Sequence, residues 1–542
     1  MLRVFVMLAL GLGLSVGAAA ETDEPIAPRL SGLGELHYEV TTASPDAQAF
    51  FDQGLRLTYG FNHMEAIRAF QEASRLDPSF AMAYWGEALA LGPNINDAMP
   101  HDRQLKAVAA IGKAKANAAH VSQKERDFID ALATRYTDDE NADRAAFDMA
   151  YADAMRTLWK KYPSDPEAGT LFAAALMDTM PWHYWNEDLT PRPGTDEVVA
   201  ALERVIADHP NHPGAHHYYI HIVEASADAS RGVDSADRLA ELMPGAGHLV
   251  HMPSHIYLRV GRYADASDAN VEAILADEDY IAQCQAQGLY PVGYYPHNIH
   301  FLWASASLEG RSEVAIDAAE KTASRVPIDM ANHVSNLQWF LVTPLYAQVR
   351  FGRWSEILTT PPPAADMTFV TAIWHYARGV AFTARGQLDR ADEELSALEK
   401  IAATPEMEEL NLNQATGSHI LRLAAAVVAG EMAAKAGNTD EAVAQLETAV
   451  ELYDDLPYME PPTWHYPVRQ SLGAVLLDAG RLEDAEAVYR EDLAEWKHNG
   501  WSLFGLLQTL RAAGKTREAD EVEAEFERVW SRADVTLTSS RF

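Results

Sequence analysis

The sequence predicts an all-α fold, an array of paired helices, from three observations. A glycine followed five residues later by an alanine recurs, at Gly261/Ala266, Gly310/Ala315, Gly386/Ala391, Gly437/Ala442, Gly480/Ala485 and Gly514/Ala519. Each glycine lies between two amphipathic stretches, so it ends one helix in a left-handed conformation. The alanine is small where the two helices approach closely. Strand signals are almost absent: no alternating β-branched run is bounded by turn residues. Finally, 542 residues exceed one ordinary domain, which fits several domains or one long repeat array.

Taken in order, the chain opens with Arg3 and an apolar run from Val4 to Val16. Ala18-Ala19-Ala20 then offers a small-x-small cleavage site. Residues 1–20 therefore read as an export signal, too short to span a bilayer, with a mature chain starting at Glu21. Residues 21–46 are polar and proline-containing and are expected to be a poorly ordered leader. An N-terminal block of helical repeats covers 47–186, with Pro93-Asn94-Ile95-Asn96 as a loop. A central histidine-rich block covers 187–330, opened by the Pro-Arg-Pro-Gly stretch at 191–194. More regular repeats cover 331–542. No later run approaches 18 apolar residues, so no stable membrane insertion is expected. A signal without disulfides fits a bacterial periplasm.

Gly54, Ala66, Phe70, Ala73 and Pro78 fall in the register of a 34-residue helix-pair signature. Gly379, Ala391 and Leu395 repeat it, as do Gly473, Ala485 and Tyr489. On these residues the chain resembles tetratricopeptide-repeat proteins from about Gln48 to Trp530. The resemblance implies a right-handed superhelical solenoid whose first helices line a concave groove. The stretches His217–Glu224, His248–Arg259, Tyr294–Leu302 and Pro461–Gly473 are similar to those of a set of bacterial exported tetratricopeptide proteins, which implies the fold and not a reaction.

Composition excludes several classes. The formal charge is −36, which repels phosphates and argues against nucleic-acid and anionic-membrane partners. The lone Cys284 excludes an internal disulfide, cysteine-rich zinc modules and iron–sulfur sites. No Walker loop, nucleophile elbow, dinucleotide fingerprint or H-E-x-x-H is present.

The histidines carry the unusual chemistry. Ten of the 20 lie between His209 and His300, about a sixth of the chain. His217, His221 and Glu224 form H-x-x-x-H-x-x-E, within about 60° of arc at ~100° per helical residue. His251 and His255 form a second H-x-x-x-H, and His297 and His300 an H-x-x-H. Imidazoles at such spacings can converge on one ion. Counted from the repeat glycines, the three pairs fall in first helices of consecutive repeats. Such helices sit ~8–10 Å apart, so six imidazoles and one carboxylate are expected to face one cavity. His209, His212, His216 and His248 lie near turns and read as structural or surface groups.

Arg259, Tyr294, Tyr295 and Asn298 are expected to contact a ligand. Trp182-His183-Tyr184-Trp185 reads as core packing at a helix end or as a wall of the groove, and Trp464-His465-Tyr466-Pro467 reads as packing. Two functions stay open. One is an exported protein holding zinc, copper or iron in its groove, with Glu224 as ligand or general base if the ion is catalytic. The other is a metal-free scaffold clasping a peptide, protein or small-molecule ligand.

Overall fold

A computed structural model describes residues 24–284 and 290–542, and from Pro45 on helices follow one another along the described residues. Consecutive helices pack as pairs: Pro45–Tyr59 on His63–Leu76, Thr368–Ala384 on Leu388–Ala402, Gly417–Ala436 on Thr439–Asp454, and Gly500–Ala512 on Thr516–Val529. All six glycines of the register have positive φ, between 71° and 80°, the conformation that closes a helix without a Cβ clash. Among the described residues, strand pairing beyond isolated bridges is limited to Asn411–Leu412 against Ala415–Thr416. The molecule is thus an all-α solenoid of tetratricopeptide-like helix pairs. No described helix is long and apolar enough to cross a membrane.

The pairs interlock through one repeated device. A Cβ on Gly54 or Gly86 would meet the Phe70 ring at 2.7 or 2.3 Å. A Cβ on Gly473 or Gly505 would meet the Tyr489 ring at 2.6 or 2.2 Å. In both places one buried aromatic ring fills the gap between two flanking helices that only glycine leaves open.

Three expectations need correction. The leader is not loose where it is described. Ile26 and Leu30 donate backbone N–H bonds to Glu72 and Gln53, Thr41 donates to Glu125, and Leu33, Tyr38 and Val40 are buried. An extended strip can pack here because helix side chains accept the bonds its backbone cannot make internally. The boundary at 186/187 lies inside one hydrophobic core that runs from Ala27 to Tyr294; a second core runs from Ile274 to Leu537. The signal assigned to 1–20 lies outside the described residues.

The third correction concerns the groove, which is closed because successive turns of the array touch. A Cβ on Gly214 would strike the Tyr59 ring at 2.4 Å. Further on, Tyr263 Oη donates to the Lys497 carbonyl at 2.8 Å and Trp501 Nε1 to the Ser307 carbonyl at 3.0 Å. The central block is therefore gripped by the N-terminal block on one side and by the C-terminal block on the other.

Candidate metal centre

Three elements build the site: the helix Pro213–Val223, the broken helix Gly247–His251 and Pro253–Val260, and the helix Tyr295–Leu308. Pro253 has no N–H to continue the ladder, and the helix is interrupted there. His248, His251 and His255 still share one face.

The imidazoles fall into two trios, and Glu224, His255 and Glu460 form a third group of possible ligands. One ring nitrogen each from His217, His221 and His248 lies within 4.8 Å of the others, and the same holds for His251, His255 and His297. The trios adjoin: the rings of His221 and His255, and of His248 and His251, have centroids 5.9 Å apart. His297 is partly buried; the other five are buried.

The outer nitrogen of four rings is tied down. His217 Nδ1 donates to the Tyr59 carbonyl at 2.7 Å and His221 Nδ1 to Glu224 Oε1 at 3.0 Å. His251 Nδ1 donates to Asn270 Oδ1 at 2.7 Å, and Asn270 is oriented by its own Nδ2 bond to the Ala266 carbonyl. His255 Nδ1 donates to Glu224 Oε2, with Glu460 Oε2 at 3.2 Å. The inner nitrogens then face one another: Nε2 of His217 and His248 at 3.1 Å, and Nε2 of His251 and His255 at 2.9 Å. His221 Nε2 and His248 Nδ1 have no hydrogen-bond partner.

Burial sets the charge states. It pushes His217, His248 and His251 well below 6.5, helped by their neighbouring imidazoles, and lowers His297 to about 3. His221 is also lowered by burial, against the pull of Glu224. For His255 burial pulls the same way, but the charge and hydrogen bond of Glu224 outweigh it and raise the group to about 10. Glu224 is buried too, yet His255 and His221 hold it below the usual carboxylate range. Glu460 is pushed up by burial, against the hydrogen bond from His255. The centre is five neutral imidazoles and one buried ion pair.

Aromatic rings close it off. Phe61 lies 4.5 Å from His217 and stacks on His248 at 5.4 Å and His221 at 6.0 Å. Trp182 meets His221 edge-on at 5.3 Å and donates Nε1–H to Asn96 Oδ1 at 2.9 Å. Both residues have positive φ, 55° and 62°. Bulky side chains rarely adopt this conformation, and such strain concentrates at functional sites.

Several expected residues belong elsewhere. His300 is wholly buried against Trp303, Trp339 and Phe340, away from the trios. Its helix is buried on more than one face, and the turn between His297 and His300 sends the latter into the next repeat. Tyr295 donates to Glu278 and Asn298 to Asp277, outside the cluster. Tyr294 does join it, 4.7 Å from His248. Arg259 lies on the wall of an adjoining cavity of about 560 Å³ with Tyr458 and Glu460, and its Nε has no partner.

Two members were missed. His248 was signalled by its i,i+3 and i,i+7 spacing to His251 and His255. Glu460 arrives from more than two hundred residues away and carried no local signal. His212 and His216 are structural as expected: His212 caps its helix by accepting from Ala215 N–H, and His216 bonds Ser235 and the Pro210 carbonyl.

No protein-family model and no curated protein matches the chain. Among solved structures, the human IFIT1 dimer with m7Gppp-AAAA is similar over 90% of this chain and 91% of that one. The identity is 10% and the TM-score 0.29. Yeast Tom70 is similar over 90% of this chain and 93% of that one, at 11% identity and a TM-score of 0.27.

Proposed function

We propose that this chain is an exported, periplasmic helical-repeat protein that binds a transition metal through its buried histidine cluster. One observation carries the reading. The four tied Nδ1 atoms leave Nε2 atoms pointing at each other at 2.9 and 3.1 Å. His251 Nε2 and His217 Nε2 are lone pairs in this arrangement; without metal each accepts from the facing Nε2–H of His255 or His248, and an incoming ion would take the place of that proton. A carbonyl or carboxylate on the far nitrogen is also how metal-bound imidazoles are usually oriented. Nitrogens sharing an ion at ~2.0–2.1 Å lie about 3.3–3.6 Å apart, a few tenths of an ångström beyond the present spacing.

All-imidazole ligation suits zinc, copper or iron. Glu224 orients a ligand in each trio from its place behind two rings, and with His255 and Glu460 it also forms a group that could itself hold an ion. A small molecule in the cavity bearing Arg259 and Glu460 would lie one side chain away from His255. Export is supported by the apolar run and cleavage site at 1–20.

Metal analysis of protein purified from the periplasm tests the reading. Replacing His221 and His255 together with alanine should abolish metal retention and leave helicity largely intact. A wild-type protein that takes up neither zinc, copper nor iron overturns it in favour of a scaffold for a peptide or protein.

A further inference from the structure

We infer that the cluster holds two ions, one per trio, and that they are monovalent copper. This rests on the metal-binding reading above and gives it a stoichiometry and an ion.

The geometry is doubled. Each trio takes an H-x-x-x-H pair from one helix, His217/His221 or His251/His255, and one histidine from the next, His248 or His297. Successive repeats thus supply two copies of one three-ligand arrangement. Glu224 stands between the copies. Its Oε1 takes the outer N–H of His221 and its Oε2 that of His255, so one carboxylate orients a ligand in each trio. A single ion would reach only one of the two close Nε2 contacts, because His217/His248 and His251/His255 are separate pairs.

Charge selects the ion. Among the described residues, the carboxylates in contact with the cluster are Glu224 and Glu460, giving at most two negative charges. With both carboxylates ionised and His255 giving up its extra proton, two monovalent ions leave the buried centre neutral. Two divalent ions leave it two positive charges in excess, which a buried site resists. Both carboxylates sit on the outer nitrogens, so neither completes the two-histidine, one-carboxylate set typical of non-haem iron. Three neutral imidazoles per ion suit three-coordinate copper(I).

Anaerobic titration of the full-length mature protein with copper(I), followed by desalting and elemental analysis, tests this, with zinc(II) in a parallel arm. Two copper ions per chain are expected. His217→Gln and His297→Gln should each retain one ion, because each removes a ligand from a different trio. Circular dichroism of each variant checks folding; His221→Gln replaces His217→Gln if the latter loses helicity. One copper per chain in wild type, abolished by either variant, overturns the pair and leaves the metal-binding reading standing. Two zinc ions with no copper overturn the choice of ion. No metal of either kind overturns both readings.

Discussion

Asn270 never approaches the inner nitrogens, yet its replacement should weaken metal binding. It is wholly buried, accepts from His251 Nδ1 at 2.7 Å and holds that orientation by donating to the Ala266 carbonyl at 2.7 Å. In Asn270→Leu, His251 loses its acceptor; Ser254 Oγ, at 3.3 Å from the same nitrogen, is a longer and weaker one. The proton is then better placed on Nε2, facing His255, where it blocks coordination. Loss of such an orienting partner typically costs 10–100-fold in affinity, about 1.4–2.8 kcal/mol. The buried N–H without an acceptor costs about 1–3 kcal/mol of stability in addition. Asn270→Asp keeps the acceptor and should bind at least as well as wild type. Competition against a chromophoric chelator gives the affinity, and urea unfolding the stability. A leucine variant that is destabilised but binds with wild-type affinity refutes the reasoning, as does an aspartate variant that fails like leucine.

Two further outcomes are expected. Because His255 is raised to about 10, its pairing with Glu224 stabilises the fold fully below about pH 6.5 and is lost as pH rises through 10. An incoming ion displaces the same proton, so apparent affinity should rise about tenfold per pH unit between 7 and 10; a chelator titration flat above pH 7 contradicts this. Gly86→Ala and Gly505→Ala should each lower stability by about 1–3 kcal/mol, since the new Cβ would fall 2.3 and 2.2 Å from the Phe70 and Tyr489 rings. Gly112→Ala, with nothing within 4 Å, should be neutral or stabilising by up to about 1 kcal/mol; equal urea midpoints for all three variants would remove the interlock as an explanation.

The helix pairs were legible because their signals are local. A turn glycine such as Gly437, five residues before an alanine, needs only its own neighbours to act. Gly54 with Phe70 and Gly473 with Tyr489 were readable for the same reason, while Gly86 and Gly505, the second walls of each slot, belong to the following helix and were not. The i,i+4 pairs were readable as faces of helices. His248 shares that face with His251 and His255, but its closeness to the turn at Pro244-Gly245 suggested a surface group. Direction failed at His300: spacing fixes an arc on a helix and not which neighbour lies along it, and Trp339 and Phe340 take that side. Glu460, Tyr59 and Phe61 reach the site through contact between turns of the solenoid. That contact depends on the summed curvature of several repeats, which no short window of sequence contains.

Closure of the groove bears on which function the fold can serve. A peptide-binding solenoid needs its concave face open, whereas here Phe61 and Trp182 seal one side of the cluster and Glu460 abuts the other. Burying these imidazoles opposes folding unless every polar atom is satisfied, and His221 Nε2 and His248 Nδ1 lack partners, at about 1–3 kcal/mol each. Phe61 and Trp182 add backbone strain of about 1–3 kcal/mol apiece. A chain selected only for stability would place leucine or phenylalanine at such positions, as the surrounding core does at Leu249 and Ile256. An ion would offset part of these costs, since it would take the free Nε2 lone pair of His221 and bind only the closed arrangement. Burial, in turn, keeps five of the six imidazoles neutral, all but His255, and therefore ready to bind at pH values where exposed histidines would already hold a proton.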